Sequence, residues 1–174
     1  MSPPLAKFFA GVIASPKVSQ KKIVEALERV FGPVDYISPV FPFEMTGYYE
    51  KEMGAGLFRF FLSFSPLKNP EELVLWKEKA SCEENKWCKD GKRQVNIDPG
   101  YMDTYKIVLA SYKEGGQKLY LGRSVWGDMI LQYRKGAWVS FPWTFPDFAG
   151  GFYEQALNEI RNRLKEENKL QHKC

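Results

Sequence analysis

The sequence predicts an α+β fold. Three observations point there. Lys7 to Ser15 is apolar or small on both alternating faces, as in a central strand covered on both sides. Two separate segments carry helical periodicity, one around Ile23 to Phe31 and one opened by Asn69-Pro70-Glu71-Glu72. The second half of the chain holds short alternating runs with turn chemistry between them.

In chain order, the first strand puts Phe8, Ala10, Val12 and Ala14 on one face and Phe9, Gly11 and Ile13 on the other. In the first helix, Ile23, Leu27, Val30 and Phe31 make the apolar stripe, and Gly32-Pro33 stops it. A second strand is expected from Val34 to about Phe43, followed by a polar-aromatic loop, "EMTGYYEKEMGAG". The third strand, Leu57 to Phe64, shows Phe58, Phe60, Leu62 and Phe64 to one side and Leu57, Arg59, Phe61 and Ser63 to the other. Asn69 is suited to cap the second helix, with Pro70 in its first turn and Glu71 and Glu72 at the positive end of its dipole. A fourth strand runs from Arg93 to Asp98. This order, β-α-β-β-α-β, is that of the ferredoxin-like split unit.

Beyond it, the sequence predicts a short helix from Asp103 to Tyr112. A meander follows over Lys118–Gly122, Asp128–Arg134 and Ala137–Phe141, with Lys135-Gly136 as a hairpin turn. An amphipathic helix bearing Leu157, Ile160 and Leu164 closes the chain. At 174 residues the sequence suits one domain with a sizeable core. No repeat or linker divides it, so residues 1–174 are expected to form a single domain with a polar, frayed tail from about residue 166.

Hydrophobic residues make up 44% and charged residues 26%, the composition of a soluble globular protein. The net charge of +4 is mild, and the lysines are mixed with glutamates, so no concentrated basic patch speaks for nucleic acid. The three cysteines, Cys82, Cys88 and Cys174, are too few and too scattered for a disulfide framework and point to reduced thiols. His172 is the single histidine and lies in the polar tail, which removes Ser-His-Asp and Cys-His machinery and leaves a Cys/His metal site without ligands. "LAKFFAGVIAS" carries Lys7 inside a run too short to span a bilayer, so it is read as a buried strand and the protein as cytoplasmic, with no membrane partner.

Three segments share an odd composition: "FPFEMTGYYEKEMGAG", "NIDPGYMDTYK" and "FPWTFPDF". Each joins proline or glycine corners to aromatic residues and a carboxylate, which suits packing on a core or shaping around a ligand. Through "FPFEMTGYYEKEMG", "RQVNIDPGYM" and "FPWTFPDF", in that order, the chain resembles a prokaryotic family, domain-of-unknown-function family 4416. The resemblance spans nearly the whole sequence and implies no particular activity. "GAGLFRFF" lacks the lysine and hydroxyl of a P-loop, so no phosphate loop of that type is present.

Two readings stand open at Asp98-Pro99-Gly100-Tyr101. Proline second and glycine third suit a type II turn, with the aspartate bonding the turn's own backbone. Alternatively, a carboxylate at the end of a strand faces the crevice where open α/β sheets bind ligands. Glu52, if its loop folds over the strand ends, would join Asp98 as a catalytic pair or as ligands of a divalent metal such as magnesium. The alternative for Glu52 is a solvated charged loop. Tyr49, Arg93, Tyr101 and Lys106 are candidate ligand-binding residues beside them. Asp147 is either a cap of the last helix or a further site residue, and Trp143 either core or lid.

Three functions compete. The first is a small-ligand protein, extending to an enzyme on a phosphorylated or nucleotide-like compound that uses carboxylates and a divalent ion. The second is an RNA-binding module, which needs one bare sheet face that this first strand does not offer. The third is an interaction subunit with no chemistry of its own, its tyrosines and tryptophans forming a partner patch.

Overall fold

A computed structural model describes residues 4–44 and 47–171. The elements in order are β1 (Lys7–Ala14), α1 (Gln20–Phe31), β2 (Val34–Ile37), β3 (Phe41–Pro42), α2 (Gly47–Met53) and β4 (Phe58–Phe64). A 3-10 turn (Pro70–Glu72) then leads into α3 (Leu73–Lys86), followed by a small hairpin of β5 (Cys88–Lys89) and β6 (Lys92–Arg93). The rest comprises β7 (Val95–Met102), β8 (Lys106–Ser111), β9 (Leu119–Gly122), β10 (Val125–Arg134), β11 (Ala137–Ser140), α4 (Pro146–Ala149) and α5 (Glu154–Gln171).

The main sheet runs β11-β10-β8-β7-β1-β4-β2, with β3 beside β4 and β9 beside β10. Its pairings are antiparallel, so with helices packed on it the fold is α+β. On one face Ile23, Leu27 and Phe31 of α1 and Leu73, Trp76 and Ala80 of α3 cover Phe8, Ala10, Phe60, Leu62 and Ile97. Phe31 and Trp76 stack there at 4.2 Å between centroids. On the other face Leu157, Ile160 and Leu164 of α5 cover Phe9, Met102, Leu109 and Ile130. The doubly apolar pattern of β1 therefore has its expected cause, since every residue of that strand is buried. Asn69 accepts the Glu71 N–H at 3.2 Å, the cap its position predicts. Lys135 and Gly136 both have positive φ, 50° and 84°, as a two-residue hairpin turn requires.

Several expected boundaries move. The strand expected from Val34 to about Phe43 breaks in two at Ser38-Pro39, because Pro39 has no N–H for the ladder. Ser38 bridges the gap: its hydroxyl accepts the Phe61 N–H and its own N–H donates to the Phe61 carbonyl, both at 2.8 Å. The polar-aromatic loop contains the helix α2. The helix expected from Asp103 to Tyr112 is instead the strand β8. Its core "IVLA" is apolar on both faces, a pattern that a buried strand and a buried helix share.

The turn reading of Asp98-Pro99-Gly100 is overturned, because all three residues lie inside β7. The corner comes later, at Asp103, whose Oδ1 accepts the N–H groups of Tyr105 at 2.7 Å and Lys106 at 2.9 Å. Pro99 is tolerated in this strand because β8 pairs with β7 only from Gly100 to Met102. Upstream of Gly100 that edge of β7 is free of β8. The Ile97 N–H on it is taken by Glu84 Oε1 of α3 at 2.6 Å, and Pro99 brings no N–H to satisfy.

The last helix continues through the polar turns expected to fray, as far as Gln171. Glu167 holds it: one carboxylate oxygen pairs with the fully buried Lys7, and the other accepts the Leu67 N–H at 3.0 Å. Lys7 also pairs with Asp35, which accepts from Ser63 at 2.6 Å. Met45, Thr46, His172 and Cys174 lie outside the described residues. Cys82 and Cys88 are free thiols. No helix among the described residues is long and apolar enough to cross a membrane.

Candidate functional site

Paired residues in an antiparallel ladder project to the same side. Gly11 pairs with Asp98, while Ile13 pairs with both Asn96 and Arg59. One face of the sheet thus collects Arg59, Asn96 and Asp98 near the end of β1. Gly11 leaves the Phe61 ring room there, since an added Cβ would stand 3.1 Å from it. Over this corner α2 brings Tyr49 and Met53 to Phe43, Ile13 and Leu57, and α4 brings Asp147.

The side chains form one polar chain. Arg93 grips Glu52 with two bonds of 2.9 Å. Its third nitrogen reaches Asn96 at 3.0 Å and Glu84 at 3.3 Å. Asn96 donates to Asp98 at 2.9 Å. Asp98 then faces two cations, Arg59 Nη2 at 3.8 Å and Lys77 Nζ at 3.8 Å. Arg59 also pairs with Asp147, which accepts from the Tyr153 hydroxyl at 2.9 Å. The Arg59 guanidinium lies 5.1 to 5.7 Å from the ring centres of Phe43, Phe61, Phe148 and Tyr153. Its Nε has no partner among the described residues.

Burial and charge act together on these groups. Burial pushes the Tyr49 hydroxyl well up, and the Asp98 carboxylate adds to that, so Tyr49 stays protonated. Burial likewise raises Tyr153, to about 12. Glu84 is raised by burial, against the hydrogen bond from Ile97. Glu52 is held below the ordinary carboxylate value by its hydrogen bonds from Arg93. For Arg59 burial works to lower the value, and Asp147 foremost outweighs it, so the guanidinium is held above its ordinary value.

Asp98 is the open member. Its side chain keeps 24% of its surface exposed, whereas Arg59 keeps 7% and Lys77 11%. Both cations stand beyond hydrogen-bond distance from it, at 3.8 Å. The arrangement sets two cationic donors beside one carboxylate.

The structure brings Asp98, Glu52, Tyr49, Arg93 and Asp147 into this corner. It does not bring Tyr101, which projects to the opposite face and packs 6.1 Å from the Phe8 ring. Lys106 pairs with Asp103 at the far end of β7. Trp143 stacks on Phe141 at 4.8 Å and donates to the Met129 carbonyl at 2.8 Å. Of the two readings of Asp147, the cap of the last helix does not hold, since the residue sits in α4, buried against Arg59. Glu52 and Asp98 are joined through Arg93 and Asn96 rather than through a shared cation. No group of three His, Cys, Asp or Glu among the described residues is placed to hold a metal ion. Sequence reasoning missed Arg59, Lys77, Glu84 and Asn96 around Asp98, and Tyr153 as a partner of Asp147. Glu84 shares a buried helix face with Lys77 and Ala80, which its charge does not announce in the sequence. A groove of about 610 Å³ opens elsewhere, along α5. Its Arg163 is engaged with Glu159 and its Glu167 with Lys7, which leaves those charges little to offer a ligand.

The chain matches the family model described as Domain of unknown function (DUF4416) over residues 4–164. No curated protein and no solved structure matches it.

Proposed function

We propose that this chain, which belongs to the DUF4416 family, binds a small anionic compound, phosphorylated or nucleotide-like, between Asp98, Arg59 and Lys77. One observation carries the reading: a part-exposed carboxylate stands 3.8 Å from each of two largely buried cations and is hydrogen-bonded to neither. An incoming phosphate oxygen would take donors from Arg59 and Lys77. Asp98 would then accept a hydroxyl proton of the ligand and serve as a general base, with the protonated Tyr49 as a neighbouring donor. Glu52 and Arg93 act as a brace rather than as ligand groups. The donor set does not call for a divalent ion.

In this reading β1, α1, β2, β4, α3 and β7 form a ferredoxin-like unit. The sheet order β7-β1-β4-β2 and the shared face of α1 and α3 support that. The other face lies under α4 and α5, which leaves no open platform for stacking RNA bases. The free thiols Cys82 and Cys88 support a cytoplasmic setting.

The test is a thermal-shift screen against nucleotides, phosphorylated metabolites and divalent metals, repeated with Asp98→Asn. Ligand at about a hundred times its dissociation constant adds close to 3 kcal/mol. A shift seen in the wild type and lost in a variant of unchanged melting temperature supports the site. A large destabilisation by Asp98→Asn alone would make the carboxylate structural. No shift across the panel would favour the partner-binding alternative, for which Trp143, Phe145 and Phe152 offer exposed aromatic surface.

A further inference from the structure

The main sheet ends on two edges, and they are built differently. On the first, β2 and β3 lie beside β4. Glu28 accepts the Val34 N–H there at 3.0 Å, and Arg163 donates to the Asp35 carbonyl at 2.9 Å. Pro39 and Pro42 follow along the same edge. Covered main-chain groups and prolines keep a sheet edge from recruiting another strand.

The opposite edge carries β9 and β11, both against β10. β9 reads Leu119-Tyr120-Leu121-Gly122, with neither a proline nor a charge. Alternate N–H and carbonyl groups of such a strand point away from its one neighbour. Among the described residues no side chain bonds to the main chain of β9, and no strand lies beyond it. Leu119, Tyr120 and Leu121 are 74%, 60% and 42% exposed, a run of apolar side chains on a free strand. Leu119 pairs with Gly127, and Leu121 packs over the same glycine, so both leucines share one face. Tyr120 takes the other face, its ring centre 5.1 Å from that of Trp126.

The charges beside β9 are already paired. Lys118 donates to the Ser111 hydroxyl at 3.1 Å and to the Lys113 carbonyl at 3.0 Å, and it stands 3.7 Å from Asp128. Arg123 pairs with Glu78 at 2.9 Å. The strand therefore has nothing to attract a strongly acidic or basic partner, and nothing to repel its own copy.

We propose that β9 pairs with β9 of a second copy of this chain, antiparallel about a two-fold axis. Two antiparallel copies of one strand are related by such an axis, so the contact is self-complementary and closes at a dimer. The covered β2 edge offers β9 no place, which blocks head-to-tail growth into a filament. Leu119 and Leu121 of the two copies cover one another on one face of the joined sheet, and the two Tyr120 rings meet on the other. The paired strands are short, so the contact stays below the ~800 Å² per partner of a standard interface, and the dimer forms in the micromolar range.

Sedimentation velocity over a concentration series tests this on the full chain, with Leu119→Lys and with Ile37→Lys as a control on the β2 edge, where Ile37 is also exposed. The wild type should pass from monomer to dimer as its concentration rises. Leu119→Lys brings like charges together at the axis and should weaken the dimer by about tenfold or more, with the melting temperature of the dilute protein unchanged. Ile37→Lys should dimerise as the wild type does. In the wild type, the amides of Leu119–Gly122 should also exchange more slowly at high concentration than at low, which reads the contact without any variant. A wild type that stays monomeric to about 1 mM overturns the proposal. So does a dimer that Leu119→Lys leaves intact, or growth beyond the dimer.

Discussion

Gly100 and Leu109 sit opposite each other with no space for a side chain on Gly100. A Cβ there would stand 2.7 Å from Leu109 Cδ2, 2.7 Å from the Val108 carbonyl oxygen and 3.0 Å from Phe9. The glycine after Pro99 is thus demanded by close packing of β7 on β8 and not by a turn. Gly100→Ala should cost about 1–3 kcal/mol, as overpacking does. Urea unfolding measures it. An unchanged midpoint would mean that the two strands are further apart than described.

Arg59 and Asp147 form a buried pair, and removing one partner leaves the other charge alone. Asp147→Leu should therefore destabilise by about 3–5 kcal/mol. The double variant Arg59→Met with Asp147→Leu should recover much of that loss, since no buried charge stays unpaired. A double-mutant cycle with no coupling would show that Asp98 alone suffices as the counter-charge of Arg59.

Asp128 gives a pH signature. Burial raises its folded value above the ordinary 3.8, so the folded state binds the proton more tightly than the unfolded state does. Stability from this group is then fullest below pH 3.8 and falls as pH rises through the folded value. Asp128→Asn removes that dependence. Relative to wild type, the variant should gain stability on going from about pH 4 to about pH 7. Denaturant melts of both proteins at the two pH values check this, and an opposite sign would mean that Lys118 outweighs burial.

Lys7 clamps β2 and α5 through Asp35 and Glu167. Glu167→Gln should loosen the last turns of α5, seen as faster amide exchange after Ile160, with the sheet unaffected. Lys7→Met should be the more damaging change, because it strands two carboxylates. Equal effects would place the hold on α5 in its apolar contacts alone.

Local pattern made much of this legible. The alternating faces of β1 and β4, the Asn69 cap, the hairpin at Lys135-Gly136 and the apolar stripe of α5 all follow from residues close in sequence, and each appears in the structure. Three odd segments were visible as well, and Tyr49, Glu52, Asp98 and Asp147 from them do meet. The composition of those loops marked the corner, but not its partners. Lys77 and Glu84 belong to a helix whose charges read as solvent-facing until α3 lies along the free edge of β7.

Sequence by itself determined which residues seek helix, strand and core, because periodicity and capping act over a few residues. Only the tertiary structure decided what "NIDPGY" is for. In isolation Asp98-Pro99-Gly100 has turn chemistry. Within the sheet, β1 pairs along the whole of β7, Glu84 satisfies the buried Ile97 N–H that β8 leaves free, and β8 begins its pairing where the proline ends. Those long-range bonds outweigh a turn preference and leave Asp98 on a strand, facing Arg59 and Lys77, residues 39 and 21 positions away in the chain.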